Sequence, residues 1–73
     1  MDKKFIGLNA GIIWRIISDQ QKWKYSELKQ KSGLPDKELY AAIGWLARED
    51  KIEIEHEEDG NEDTFYLQFN MYI

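Results

Sequence analysis

Near residue 50 the spacing of apolar side chains changes. Before it, Leu39, Ala42, Ile43 and Leu46 stand at i, i+3, i+4 and i+7, the stripe of a helix with one buried face. After it, Ile52 and Ile54 alternate with Glu53, Glu55 and Glu57. Further on, Phe65, Leu67, Phe69, Met71 and Ile73 alternate with Tyr66, Gln68, Asn70 and Tyr72. A period of two is the pattern of strands that bury one face. Asp59-Gly60-Asn61 between the two runs is a turn signal. Placing Glu57 opposite Thr64 puts Ile52 opposite Phe69, and residues 70–73 then overhang the hairpin. A chain that is helical first and a hairpin last folds as one α+β unit.

The upstream half supplies two more helices. The first is expected from about Asn9, as N-cap, to about Asp19. Leu8, Ala10, Ile13 and Ile16 or Ile17 share its inner side, and Ile12 and Trp14 widen the apolar arc. Gly11 inside this helix implies a close approach by another element, with Trp14 as the neighbour and part of the core. Lys22-Trp23-Lys24-Tyr25 reads as a short extended stretch. Ser26 is placed to cap a second helix from Glu27 to about Lys31, anchored by Leu28. Gly33 stands where a helix end needs a left-handed residue, and Leu34 turns inward after it. Pro35 opens the third helix, which is expected to end near Glu49-Asp50.

Seventy-three residues make a single domain, 1–73, whose stability is marginal because a short chain buries a small fraction of its surface. The chain is 42% hydrophobic and 14% aromatic, which is too apolar for a disordered one. It has no cysteine, so disulfides and thiolate metal sites are excluded. No apolar run approaches the roughly 20 residues of a membrane span. The apolar stretch after Met1-Asp2-Lys3-Lys4 is too short for a signal peptide, and a cytoplasmic location is the expectation.

The order of elements is helix, short strand, helix, turn, helix, hairpin. That order is a helix-turn-helix followed by a β-hairpin wing. Ser32-Gly33-Leu34-Pro35, Leu39, and the run from Ala42 to Ile52 resemble the turn, third helix and first wing strand of winged-helix regulators. Asn9-Ala10-Gly11 with Trp14, and Gly44-Trp45-Leu46-Ala47-Arg48-Glu49, resemble more closely a family of small stand-alone bacterial winged-helix proteins of unassigned function. The resemblance implies three helices packed on a small antiparallel sheet, and a DNA-binding, transcription-associated role.

Charge divides the chain. Residues 1–48 hold nine Lys/Arg against five Asp/Glu, a balance of +4, and residues 49–73 hold one Lys against nine acids, a balance of −8. The first part tolerates a polyanion and the last part repels one. With the core stripe fixed, the outward face of the third helix is Lys37, Tyr40, Ala41, Gly44, Trp45 and Arg48. Candidate nucleic-acid contacts are Lys24, Lys29, Lys31, Lys37, Tyr40 and Arg48, with Arg15 and Lys22 as further cations. Ala41 and Gly44 offer no donors to bases, so weak or partner-assisted DNA binding is expected. The alternative is a protein-interaction or homodimerisation surface, with Tyr40, Ala41, Gly44, Trp45, Phe69 and Tyr72 as candidates. Trp45 has a competing place, folded back on the hairpin as core. No catalytic, cofactor or metal residues are assigned, and no small-molecule substrate or enzyme activity is expected. Asp59-Gly60-Asn61-Glu62-Asp63 lacks the glycine placement and bidentate acid of a calcium loop. His56, the only histidine, is expected on the inner or edge face of the first wing strand, without a catalytic role.

Overall fold

The computed structural model describes residues 1–56 and 62–68. The first helix, α1, spans Lys3–Ile17, capped by Asp2, whose carboxylate accepts from the Phe5 N–H at 2.8 Å. It starts six residues before the expected Asn9. The apolar period extends back through Phe5 and Ile6, and Asp2 supplies the cap. Asn9 is therefore a buried residue within the helix.

Trp23–Lys24 form β1, and α2 follows directly as Tyr25–Ser32. Its first turn is closed by Glu27, whose carboxylate accepts from the Lys24 N–H at 2.8 Å. Ser26 lies inside this turn and is not the cap. Gly33 ends α2 in the left-handed region, at φ 74°. Pro35 caps α3, Asp36–Arg48, one position before its expected place inside the helix. Asp50, at φ 58°, turns the chain out of α3, and the Lys51 N–H bonds back to the Leu46 carbonyl at 2.9 Å. This is the bond pattern of a left-handed helix stop, with a short polar residue where glycine is usual.

The hairpin strands are β2, Ile52–His56, and β3, Asp63–Leu67. The sheet is antiparallel in the order β1-β3-β2, so the last strand is central. Trp23 pairs with Phe65 and Lys24 with Thr64. On the other side Ile52 pairs with Leu67 and Glu55 with Thr64. The register is thus displaced by two residues from the Glu57–Thr64 pairing expected, and two is one full side-chain period. Every described side chain keeps its face.

Ile13, Ile17, Leu28, Leu39 and Phe65 are the largest fully buried side chains. They join the α3 stripe of Leu39, Ala42, Ile43 and Leu46 to α1, α2 and the sheet. Ile54 is 45% exposed, contrary to expectation. It lies on an edge strand, where the core covers Ile52 and stops short of the next inward position. Residues 69–73, including the expected overhang, lie outside the described residues, as does the Asp59-Gly60-Asn61 turn.

Candidate nucleic-acid and protein interface

Among the described residues, the outward face of α3 is largely exposed. Lys37, Tyr40, Gly44, Trp45 and Arg48 are exposed and Ala41 is half-buried. Lys37, Ala41, Gly44 and Arg48 are four, three and four residues apart, so they fall on one line along the helix. At 1.5 Å per residue the two cations are about 16 Å apart along the axis. Tyr40, 58% exposed, and Trp45, 38% exposed, flank the line. The centre of the face is therefore small and flat, with a cation at each end and an aromatic ring on each side.

Tyr40 is held in place from α2. Its ring stacks on Tyr25, with centroids 4.7 Å apart and planes 19° from parallel. The Tyr25 hydroxyl donates to Asp36 Oδ1 at 2.6 Å, and Lys29 Nζ lies 3.0 Å from the same oxygen. Burial, followed by the neighbouring Asp36 carboxylate, pushes the Tyr25 hydroxyl pKa up. The Tyr25 and Lys29 hydrogen bonds hold the Asp36 carboxyl below its ordinary value. This cluster ties the start of α3 to α2, and it places Lys29 against a carboxylate.

The other cations divide in the same way. Lys22 pairs with Glu55 across the sheet at 3.2 Å and lies over the Tyr66 ring, 5.1 Å from its centroid. Lys31 lines an open groove with Gln21, Lys22, Trp23, Glu27 and Gln30. Lys24 is exposed at the end of β1, where it pairs in register with Thr64. Both Glu62 oxygens are engaged by Ser26: the N–H donates at 2.7 Å and the hydroxyl at 3.1 Å. These bonds hold the Glu62 carboxyl below its ordinary value. No sequence pattern indicates this contact, because the two residues are 36 apart.

Several expected positions change. Gly11 has no neighbour at its open side, and it is Gly7 that faces another helix, with the Trp45 ring 4.0 Å from where a side chain would begin. Trp45 therefore leans on α1 beside Gly7. Trp14 is 41% exposed and not core, with Lys51 Nζ 5.8 Å from its ring centroid. Leu8 is 63% exposed, because the longer helix turns its stripe toward Ala10, Ile13 and Ile17. His56 is exposed, not inward, and its Nδ1 lies 2.8 Å from Asp63 Oδ1 across the hairpin. Phe69 and Tyr72 lie outside the described residues. Among the described residues, no group of three or more His, Cys, Asp or Glu is placed to hold a metal, and no helix is long and apolar enough to cross a membrane.

Three helices on a three-stranded antiparallel sheet, with the third helix exposed and a hairpin after it, define a winged helix-turn-helix protein. The chain belongs to the family described as winged helix-turn-helix domain (DUF2582), which it matches over residues 1–67. It is similar to protein BT2368 from Bacteroides thetaiotaomicron, whose structure was determined by solution NMR. The two share 37% identity with a TM-score of 0.77, over 92% of this chain and 79% of that one. A comparison with curated proteins finds no match.

Proposed function

We propose that the chain is a duplex-DNA-binding, transcription-associated module of the cytoplasm that seats α3 in the major groove and catalyses no reaction. The observation that carries this reading is the line Lys37–Ala41–Gly44–Arg48. Lys37 and Arg48 stand about 16 Å apart along the axis of a helix laid in the groove, and the small residues between them let the helix approach closely. Lys24, at the end of β1, and Lys31, on α2, would add backbone contacts. The face offers few donors to bases beyond Lys37, Tyr40 and Arg48, so affinity comes mainly from phosphates and sequence preference is slight.

The test is an NMR titration of labelled protein with a mixed-sequence duplex. Four phosphate contacts give a salt slope of roughly −3.6, or about 100-fold weaker binding between about 50 and 200 mM salt. Lys37→Ala and Arg48→Ala should each weaken binding and reduce the slope by about one. Absence of shifts on α2 and α3 at low salt would sink the reading.

A protein partner or a second copy is the alternative use of the same face. Exposed Trp45 and Tyr40 around Ala41 and Gly44 favour it, since such aromatic side chains anchor interfaces. Trp45→Ala should spare DNA binding and abolish a protein contact centred there. Light scattering at high concentration reads the homodimer directly.

A further inference from the structure

Gly11 lies in the interior of α1, where glycine costs stability relative to alanine, and no described atom comes within 4 Å of where a side chain would begin. No described neighbour therefore accounts for the residue. The space over it is bounded by two exposed tryptophans: Trp14, one turn further along α1, and Trp45, which leans in from α3 beside Gly7. The hollow has an indole on either side and is open between them. The chain leaves β3 at its edge. The Gln68 N–H donates to the Lys51 carbonyl at 3.1 Å, and the Lys51 ammonium lies 5.8 Å from the Trp14 ring centroid. Five residues follow Gln68 in the sequence. Phe69, Met71 and Ile73 among them repeat the parity of Phe65 and Leu67, which pack on the core from β3.

We propose that the hollow between Trp14 and Trp45 is the seat of the protein's own residues 69–73, and that glycine stands at position 11 because this segment crosses α1 there. Extended, five residues reach about 17 Å, while Trp14 and Gly11 are about 5 Å apart along the helix axis. Phe69, Met71 and Ile73 supply apolar side chains to the two indole walls, and the contact removes both partners from water. A side chain at position 11 would hold the segment off the helix, which is the use of glycine at a close approach. The segment is joined to the protein at the edge of the hollow, so a second copy competes against a high effective concentration. The inference is independent of the DNA-binding reading. It concerns α1 and the α1 side of Trp45, and it takes that side away from a protein partner.

The test uses the full chain. In isotope-labelled protein, nuclear Overhauser effects are expected from the Trp14 and Trp45 indole protons to the side chains of Phe69, Met71 or Ile73, and their absence overturns the proposal. A mixture of labelled and unlabelled protein separates the two sources of such contacts. Effects found only between molecules would show that a second copy fills the hollow, and would overturn its assignment to the chain's own segment. Thermal melts of Gly11→Ala and Gly44→Ala give an independent readout. Both glycines lie inside helices, with open space around them among the described residues. Alanine favours a helix, so Gly44→Ala should raise the melting temperature by about 4 °C. Gly11→Ala should raise it by less than half as much, or lower it, because the added methyl group meets the segment. An equal rise in the two variants would mean that nothing lies over Gly11, and overturns the proposal.

Discussion

Asn9 occupies a core position of α1, buried between turns that carry Phe5 and Ile13. Its side-chain Nδ2 has no hydrogen-bond partner among the described residues. A buried amide donor without a partner costs about 1–3 kcal/mol, more than a made hydrogen bond returns. Asn9→Leu keeps the branching at the γ position and removes the donor. It should stabilise the domain by about 1 kcal/mol and raise the melting temperature by roughly 4–8 °C. A thermal melt followed by far-UV circular dichroism checks this, and a lower melting temperature would refute it. Asn9 also shows where residue-scale reading fails. Asparagine is a good N-cap, which favours Asn9 as the helix start, but Asp2 does the same work about two turns earlier. Local preference names the residue types that end a helix. Among several candidates, the length of the apolar stripe decides.

At the scale of elements, the parts with strong local chemistry were legible. The α3 stripe, the left-handed Gly33, the short strand at Trp23 and the period change at residue 50 each rest on neighbours a few residues apart, and each stands in the structure. The hairpin register and the place of Ile54 were not legible. Register follows from β1, which pairs with β3 at Trp23–Phe65 and makes it the central strand. That pairing joins residues 42 positions apart, beyond any local pattern. The candidate site divides in the same way. The α3 face follows from helical period alone, whereas the Tyr25–Asp36–Lys29 cluster and the Glu62–Ser26 contact are tertiary. The α2–α3 turn gives a local test. Gly33 has open space around it, so an added methyl meets no neighbour and the cost is conformational. Gly33→Ala should destabilise by about 1 kcal/mol, through the left-handed φ that alanine resists. Denaturant melts read this as a lower midpoint at unchanged slope. No change would mean that the turn relaxes to accept a side chain.

For the whole molecule, two carboxylates held by tertiary contacts, Asp36 within the basic part and Glu62 across to it from the acidic part, make stability depend on pH. Asp36 and Glu62 are both held below the ordinary carboxylate value, Asp36 by Tyr25 and Lys29, Glu62 by Ser26. A group whose folded pKa is depressed contributes stability above its unfolded value. That contribution is lost as pH falls through the folded value, because the unfolded chain takes up the proton first. Stability should therefore hold from neutral pH to about pH 5 and then decline toward pH 3. The decline begins near the sequence isoelectric point of about 4.9, so protein concentration has to be kept low for the measurement. Glu62→Gln removes one titrating group and Tyr25→Phe removes the main support of the other, so each should flatten the acid limb. The two contacts meet at adjacent residues of α2, Tyr25 and Ser26, so their effects are not expected to add. Urea unfolding at pH 6, 4.5 and 3 for the wild type, both single variants and the double variant would read the coupling. An acid limb in Glu62→Gln as steep as that of the wild type would show that Glu62 titrates alike in both states, and that the Ser26 contact does nothing for stability.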